Sequence, residues 1–283
     1  MSQNIESPIH MEISLTESIN LLNLLGCSID IRLFPIYDAP NEDILDKIRK
    51  NIDKFTIKYN YSFEDYSSLK FNGLFFGTTA TGNIHKELPN RYDLIKEDTQ
   101  IIITDKLGLL TCLSLYIITT LDEKLFEKLN KYGIQENKLN QLKDLAIRNL
   151  TEPKTSLGKL ITKFLPDFET EFDFQSHILV THPISKNGIL SLYEISKLIN
   201  RELIIDDIPL IDSDIANFVS KEYLISNPTA STSNTNMILI SKELSSTVID
   251  ELNKNKFNPK VIGKIGKGGT TGIIFNNKKE KIS

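Results

Sequence analysis

The sequence has few cysteines, no long apolar run and no excess of positive charge, and each shortage excludes a class of protein. Its 283 residues include two cysteines, Cys27 and Cys112, both among apolar neighbours, which favours buried, unreactive thiols over a disulfide. No apolar run reaches about 18 residues, so the sequence predicts no membrane span. Residues Met1–Pro8 lack the charged and then apolar pattern of a secretion signal, and we expect a protein of the reducing cytoplasm.

The charge and composition are those of an ordinary globular protein. There are 37 acidic and 33 basic residues, and this near balance argues against broad nucleic-acid binding, which needs a concentrated basic face. Hydrophobic residues make up 40% of the chain, enough to bury a core of normal size. A chain of this length predicts one large domain or two modest ones.

The first part of the sequence alternates between helical and strand patterns. Leu15–Leu25 and Asn41–Lys58 have apolar residues at helical spacing, with Gly26 as a stop after the first helix. Ile29–Tyr37 alternates apolar and polar residues, which predicts a strand covered on one face.

The stretch Gly73–Thr111 organises the rest of the chain. Leu74–Phe76 predicts a short buried strand, which we expect to end in a turn made by the small residues Gly77–Gly82. After a polar loop, the continuous apolar run Gln100–Thr104 predicts a strand covered on both faces, and a helix begins after Gly108.

Beyond this stretch the pattern predicts further helices and strands. Helices are expected at Leu109–Leu129 with a break near Asp122, Asn137–Asn149, Lys154–Phe164, Ile189–Ile199, Asp214–Ser220 and Glu243–Asn253, and strands at Ser176–Val180, Glu202–Ile205, Met237–Ile240, Pro259–Ile265 and Gly272–Phe275. Asn227–Asn236 predicts a polar loop or, alternatively, a mobile lid. Gly266–Thr271 lacks the spacing of a phosphate-binding P-loop, and a β-hairpin turn is the better interpretation.

Several of these segments resemble the superfamily of selenophosphate synthetase (selenide, water dikinase) and aminoimidazole ribonucleotide synthetase. The pair Thr81-Gly82 and the later run Ile101–Gly108 are similar to the family's Thr-Gly pair and to its strand ending in Thr-Lys-Pro-Leu-Gly. Thr181–Leu190 is similar to the motif Thr-Asp-x-Thr-Gly-x-Gly-Leu, and Asn227–Ser231 is similar to Asp-Pro-Gln-Thr-Ser. Further similar segments, in the family's order, are Asp207–Leu210 and Val261–Ile265.

The resemblance implies an α+β, aminoimidazole ribonucleotide synthetase-like fold of two domains. Residues 1–90 would form a truncated N-terminal α/β domain for dimerisation and ATP binding, and residues 91–283 a complete C-terminal α+β domain of mixed sheet and helices. The family's glycine-rich leader has no counterpart before Leu15, so the sequence resembles a divergent, N-terminally shortened member. The resemblance also implies a homodimer or a heterodimer with a paralogue, in which the strand Ile29–Leu33 would take part.

The family reaction uses ATP and Mg²⁺, and the carboxylates that the resemblance implies are missing. One family aspartate falls on Leu21, beside the retained Asn20, and another falls on His182, whose imidazole is a poor ligand for magnesium. Losing one preorganised charge-stabilising group commonly costs about 100- to 1,000-fold in rate. We therefore expect an eroded catalytic site without metal ligands, and no catalytic residue is assigned.

Three groups of residues are candidates for ligand binding: Thr78, Thr79, Thr81 and Gly82; Thr104, Asp105 and Lys106; and Thr181 and His182. The first group would cradle an anion through its backbone N–H groups if the small residues form a turn, or would only let strands pack closely. The second group lies at a strand end before a helix, which is either a ligand crevice or a solvated strand end. In the third group, the His182 imidazole is a candidate base or metal ligand, or it is structural or incidental.

Three functions remain open. The first is a divergent selenophosphate synthetase-like protein with an eroded metal site, which binds a nucleotide, another phosphorylated ligand or an intact paralogue. The second is an active ATP-dependent phosphotransferase or synthetase of the same superfamily with relocated carboxylates, for which the candidates are Asp98, Asp105, Asp206 and Asp207. The third is a non-catalytic structural partner. Neither a nucleic acid nor a membrane is an expected partner.

Overall fold

The computed structural model describes residues 9–67, 70, 73–122, 124–276 and 280–282, so Met1–Pro8 lies outside the described residues. None of the described helices has the length and apolarity that crossing a bilayer requires. The helices are α1 (Ile9–Leu24), α2 (Glu42–Tyr59), α3 (Leu109–Leu121), α4 (Lys124–Lys131), α5 (Glu136–Thr151), α6 (Thr155–Lys163), α7 (Leu190–Ile199), α8 (Ser213–Lys221) and α9 (Lys242–Lys254). The strands are β1 (Ile29–Asp38), β2 (Ser62–Phe63), β3 (Phe75–Asn83), β4 (Gln100–Ile103), β5 (Val180–Pro183), β6 (Arg201–Ile205), β7 (Asn236–Ile240), β8 (Lys260–Gly268), β9 (Gly272–Phe275) and β10 (Glu280–Ile282).

The strands form two sheets. In the small sheet, of order β2-β1-β3, β1 runs parallel to β2 and antiparallel to β3. The large sheet has the order β10-β9-β6-β8-β4-β7-β5, and its pairs are antiparallel except for β6 and β9. The predicted α+β class with a mixed second sheet is confirmed.

The large sheet is covered on both faces, and β4 is an interior strand between β8 and β7. Ile101 and Ile103 face the core shared with α7, whereas Ile102 faces the core shared with α6 and α9. All three side chains are 0% exposed, and burying each contributes about 1.5–3 kcal/mol. The prediction of a strand buried on both faces is confirmed, because a continuous β-branched run fits a two-sided core.

Helix α1 connects the two sheets. It begins at Ile9, earlier than the predicted Leu15, and it packs against β3 on one side and against α5 and α6 on the other. Its side chains Leu15 and Ile19 enter the core of the small sheet, and Leu24 enters the core of the large one. This position leaves part of α1 beside β5, where the cleft described below is found.

The prediction of a short buried strand at Leu74–Phe76 is wrong. In the structure β3 runs from Phe75 to Asn83 and pairs with β1 along most of its length. Leu74 and Phe75 are 51% and 45% exposed. Apolar character alone did not place these residues inside, because β3 lies at the edge of the small sheet among the described strands.

Two predictions in the second half are also wrong. The strand expected at Ser176–Val180 begins only at Val180, because the residues before it form a turn in which the Asp173 N–H donates to His177 Nδ1 at 2.9 Å. The β-hairpin expected at Gly266–Thr271 is absent from the described sheet, since β6 lies between β8 and β9. The turn instead carries the chain past the start of β6.

Candidate functional site

A cleft of about 470 Å³ opens where α1 meets the chain that follows β5. Helix α1 supplies one wall, and β5, the loop after it and the start of α7 supply the other. The segment before β7 supplies the floor. The lining residues are Glu17, Asn20, Leu21, His182, Pro183, Ser185, Lys186, Asn187, Ser191, Glu194, Ser233 and Asn236.

The floor is fixed by a buried network around Asn20. The Asn20 Nδ2 group donates to Asn234 Oδ1 at 3.0 Å and to Ser233 Oγ at 3.2 Å, and its Oδ1 accepts from the Lys154 N–H at 2.9 Å. Asn234 donates in turn to the Asn149 carbonyl at 3.0 Å. Because Asn20 and Asn234 are only 5% and 1% exposed, these hydrogen bonds hold α1 firmly against the floor.

The segment Asn227–Asn236 is a loop, as predicted, but most of its residues are buried rather than solvated. Thr104 Oγ1 donates to the Asn234 carbonyl at 3.0 Å and accepts from the Asn236 N–H at 2.9 Å. Ser231 Oγ accepts from the N–H of the residue before α3 at 2.8 Å. Thr104 therefore supports the floor from beneath and is not among the residues that line the cleft.

One ion pair spans the mouth of the cleft. Lys186 Nζ, in the loop after β5, lies 2.8 Å from Glu17 Oε1 on α1. The Lys186 side chain is 69% exposed, whereas that of Glu17 is 32% exposed. The ammonium group is therefore accessible to an anion from solvent, while the carboxylate is partly enclosed by the wall.

His182 lines the cleft, as predicted for a ligand-binding residue. Burial lowers the pKa of its imidazole below the ordinary value, and the Glu194 carboxylate opposes this shift. The ring is therefore mainly neutral at pH 7, with one nitrogen able to donate a hydrogen bond and the other able to accept one.

The other strand-end candidates lie outside the cleft lining. Thr181 is buried, and its Oγ1 donates to the Leu24 carbonyl at 2.6 Å, which ties β5 to the end of α1. Burial raises the pKa of the Asp105 carboxyl, although the Lys106 N–H donates to its Oδ1 at 3.1 Å and Lys154 favours its ionised form. Of these predicted residues, His182 lines the cleft and Thr104 lies beneath its floor. Thr181, Asp105 and Lys106 are not among the lining residues.

The anion-binding turn predicted around Thr78 is wrong, because the small residues continue the strand β3. The Thr78 carbonyl accepts from a serine of α1, and Thr79 and Thr81 are exposed. A Cβ atom at Gly82 would lie 2.4 Å from Cys27 Sγ, so this glycine is needed for packing. Thr81 and Gly82 line a separate hollow of about 460 Å³ along β1 and β3, and none of the group reaches the cleft.

The aspartates suggested as relocated metal ligands do not converge. Asp98 precedes β4 and Asp105 follows it, so the two lie at opposite ends of that strand. Three of the four have other partners: Asp98 with Lys264 at 2.6 Å, Asp207 with Lys260 and Asp206 with Asn276. In the part of the chain that the structure describes, no three histidine, cysteine or acidic side chains are placed to hold a metal ion.

The sequence did not identify most of the cleft. Unassigned lining residues include Glu17, Ser185, Lys186, Ser191, Glu194, Ser233 and Asn236. One signal was available, since Glu17 and Leu21 stand four positions apart on α1 and so share a face. The meeting of Glu17 with Lys186 depends on tertiary packing, and no local pattern indicates it.

Comparisons with known proteins establish the fold. No protein-family model and no curated protein sequence matches this chain. Thiamine-monophosphate kinase from Stenotrophomonas maltophilia K279a aligns with a TM-score of 0.65 and 13% identity over 99% of this chain and 84% of that one. The hydrogenase maturation protein HypE of E. coli aligns with a TM-score of 0.66 and 11% identity over 96% and 78% of the two chains. A structure of HypE in complex with ATP aligns with a TM-score of 0.64 and 14% identity over 96% and 78%.

These alignments extend over nearly the whole chain and therefore include both sheets. Identities of this size establish an architecture, whereas an activity depends on the particular residues of a site. The chain has the fold of these thiamine-monophosphate kinase and HypE structures, which agrees with the α+β class that its sequence predicted.

Proposed function

We propose that this chain is a divergent, selenophosphate synthetase-like protein that binds a nucleotide or another small phosphorylated ligand in the cleft beside α1. The observation that carries the proposal is that the Lys186 ammonium group lines the same cleft as several serine hydroxyl and asparagine amide groups. The hydrogen-bonded pair Asn20 and Asn234 fixes the floor beneath them. Such a combination suits an anion, because a charged donor supplies affinity and neutral donors supply orientation. HypE has been solved with ATP, which supports a nucleotide as the ligand.

The cleft does not fit the divalent cation that phosphoryl transfer would need. Mg²⁺ binds oxygen ligands in a near-octahedral arrangement. Leu21, at the position of a family aspartate, is 51% exposed but offers only carbon atoms. The Glu17 carboxylate is already paired with Lys186, and neutral His182 is a poor partner for magnesium. We therefore propose a pseudoenzyme that binds its ligand without the family's metal-dependent chemistry.

The division into domains and the partners are part of the proposal. Residues 1–90 would form the N-terminal domain and residues 91–283 the C-terminal one. The exposed apolar residues Ile36 and Phe75 of the small sheet support a homodimer or a heterodimer with a paralogue through that sheet. A structure of HypE in complex with HypF supports the use of this fold in assemblies. The proposed location is the cytoplasm.

Calorimetric titration with ATP, with and without Mg²⁺, tests the proposal. We expect binding that is indifferent to the metal and no release of phosphate. Binding that requires Mg²⁺, with turnover, would favour an active ATP-dependent enzyme instead. Absence of binding would favour a purely structural partner.

A pair of matched variants locates the binding. Lys186→Ala removes the cation of the cleft, and we expect about a tenfold loss of affinity, the size of a charge-assisted hydrogen bond of about 1.5 kcal/mol. Lys128→Ala is the control, because Lys128 in α4 makes a similar ion pair, at 3.1 Å, with Glu222, which directly follows α8. Equal affinities of the two variants would place the ligand elsewhere.

A further inference from the structure

The cation of the cleft is not free in the ligand-free molecule. Among the described residues that line the cleft, Lys186 is the one lysine or arginine, and it is paired with Glu17. A second carboxylate, Glu194, also lines the cleft, and His182 is mainly neutral at pH 7. The lining therefore carries two negative charges and one positive charge. This balance opposes a highly charged anion even though it offers one ammonium group.

The buried floor decides which partner of the ion pair must move. Asn20, one turn after Glu17 on α1, is fixed by hydrogen bonds to Lys154, Ser233 and Asn234. The helix therefore cannot withdraw Glu17 from the cleft without breaking buried hydrogen bonds, which is costly. Lys186 lies on an exposed loop with a flexible side chain. Since the Glu17 side chain is also the more enclosed of the two, at 32% exposed against 69%, an entering anion draws Lys186 away more easily than it displaces Glu17.

We infer that Glu17 is a specificity-determining residue, which competes with the ligand for Lys186 and selects ligands with one phosphate group over polyphosphates. The inference rests on the proposed function, because it assigns a ligand class to the same cleft. Each further negative charge on a ligand bound at Lys186 is repelled by the Glu17 carboxylate. Leu21 adds no charge one turn later on the same face of α1.

Orthophosphate, pyrophosphate and tripolyphosphate are the probes, in metal-free buffer at constant ionic strength. They share one chemistry and differ in charge, so the result does not depend on the rest of the natural ligand. In the wild type we expect affinity that falls from orthophosphate to tripolyphosphate, and a level or rising series would overturn the inference. In Glu17→Gln we expect affinity that rises along the series, gaining about threefold for each added negative charge. Calorimetry gives the affinities, and the melting temperature confirms that each variant is folded.

Glu222→Gln is the matched control, because Glu222 forms a similar ion pair with Lys128 at 3.1 Å and is 27% exposed. It should leave the whole series unchanged. If Glu17→Gln weakens all three anions, Glu17 orients Lys186, and if it strengthens them equally, Glu17 competes for Lys186 without selecting by charge. In either case the inference is wrong while the binding proposal stands. If the wild type and Glu17→Gln bind none of the anions and no ATP, both proposals are wrong. Binding of ATP without any anion response overturns only the inference.

Discussion

Two segments with similar composition occupy opposite environments in this molecule. The small-residue run Gly77–Gly82 and the polar segment Asn227–Asn236 are both rich in small and polar residues. The first continues as the strand β3 at the edge of the small sheet, with Thr79 and Thr81 exposed. The second is a loop that is largely buried and forms hydrogen bonds with α1, α3 and α5.

The difference shows that polar composition does not determine burial. Threonine and glycine at a sheet edge keep the edge soluble and need no partners beyond one neighbouring strand. A polar segment inside the protein must instead satisfy each buried donor and acceptor, and a fully satisfied network specifies one geometry. In this chain the segment under the cleft approaches the second situation, since the Asn234 and Ser231 side chains are hydrogen-bonded, although the buried Thr232 hydroxyl has no partner among the described residues.

The largest expected effect on stability comes from replacing Asn234 by leucine, which removes a hydrogen-bonding side chain from the buried segment Asn227–Asn236. The change removes the Asn234 partner from one N–H of the Asn20 amide, which keeps its bond to Ser233, and from the Asn149 carbonyl. We expect a loss of about 2–4 kcal/mol in the free energy of unfolding, measured by urea denaturation. Thr79→Ala, on the exposed strand, should change it by less than about 0.5 kcal/mol. Equal effects of the two changes would contradict the contrast drawn between the segments.

A smaller effect should distinguish two glycines within the exposed segment. A Cβ atom at Gly82 would lie 2.4 Å from the Sγ atom of buried Cys27, whereas the nearest atom to one at Gly77 is a ring carbon of Phe75 at 3.6 Å. We expect Gly82→Ala to destabilise the protein by about 1–3 kcal/mol through overpacking. Gly77→Ala should be neutral or stabilising by up to about 0.5 kcal/mol, because glycine weakens a strand. Thermal denaturation measures the stability change of each variant. If Gly82→Ala is neutral, the Cys27 side chain can shift to make room for the added methyl group.

The elements that the sequence predicted correctly are those in which hydrophobic pattern and burial agree. The apolar residues Ile101–Ile103 at the middle of the run Gln100–Thr104 enter a two-sided core, and Asn41–Lys58 has a regular apolar stripe. The small-residue run has neither signal, and its strand conformation depends on pairing with β1, far away in sequence. Local propensity is weak there, so the tertiary partner decides.

The candidate site was predictable only in part, for the same physical reason. His182 was identified because a family motif was expected at its position, and it does line the cleft. Thr104 and Thr181 were identified in the same way, but their hydroxyl groups are used in internal hydrogen bonds. Glu17 lies in no motif, and Lys186 was given no role although it lies within Thr181–Leu190, because their ion pair joins a helix to a distant loop.

The smallest expected effect is on the pH dependence of the free energy of unfolding. The cleft and the small sheet should contribute to this dependence in different pH ranges. Burial lowers the pKa of His182 although Glu194 opposes this shift, so below about pH 6.5 the unfolded chain binds more protons than the folded one. Stability therefore decreases as the pH is lowered through this range. His182→Gln should make the free energy of unfolding depend less on pH between about pH 5 and 7.

In the small sheet, burial acts to raise the pKa of Asp65, but hydrogen bonds from Tyr37 and Ser67 outweigh it and the pKa is lowered. The stability that Asp65 contributes is therefore present above about pH 4 and is lost below it, so Asp65→Asn should remove only this acid-range dependence. Urea denaturation at a series of pH values measures both changes, and a flattened slope above about pH 5 in Asp65→Asn would contradict the assignment of that range to the cleft.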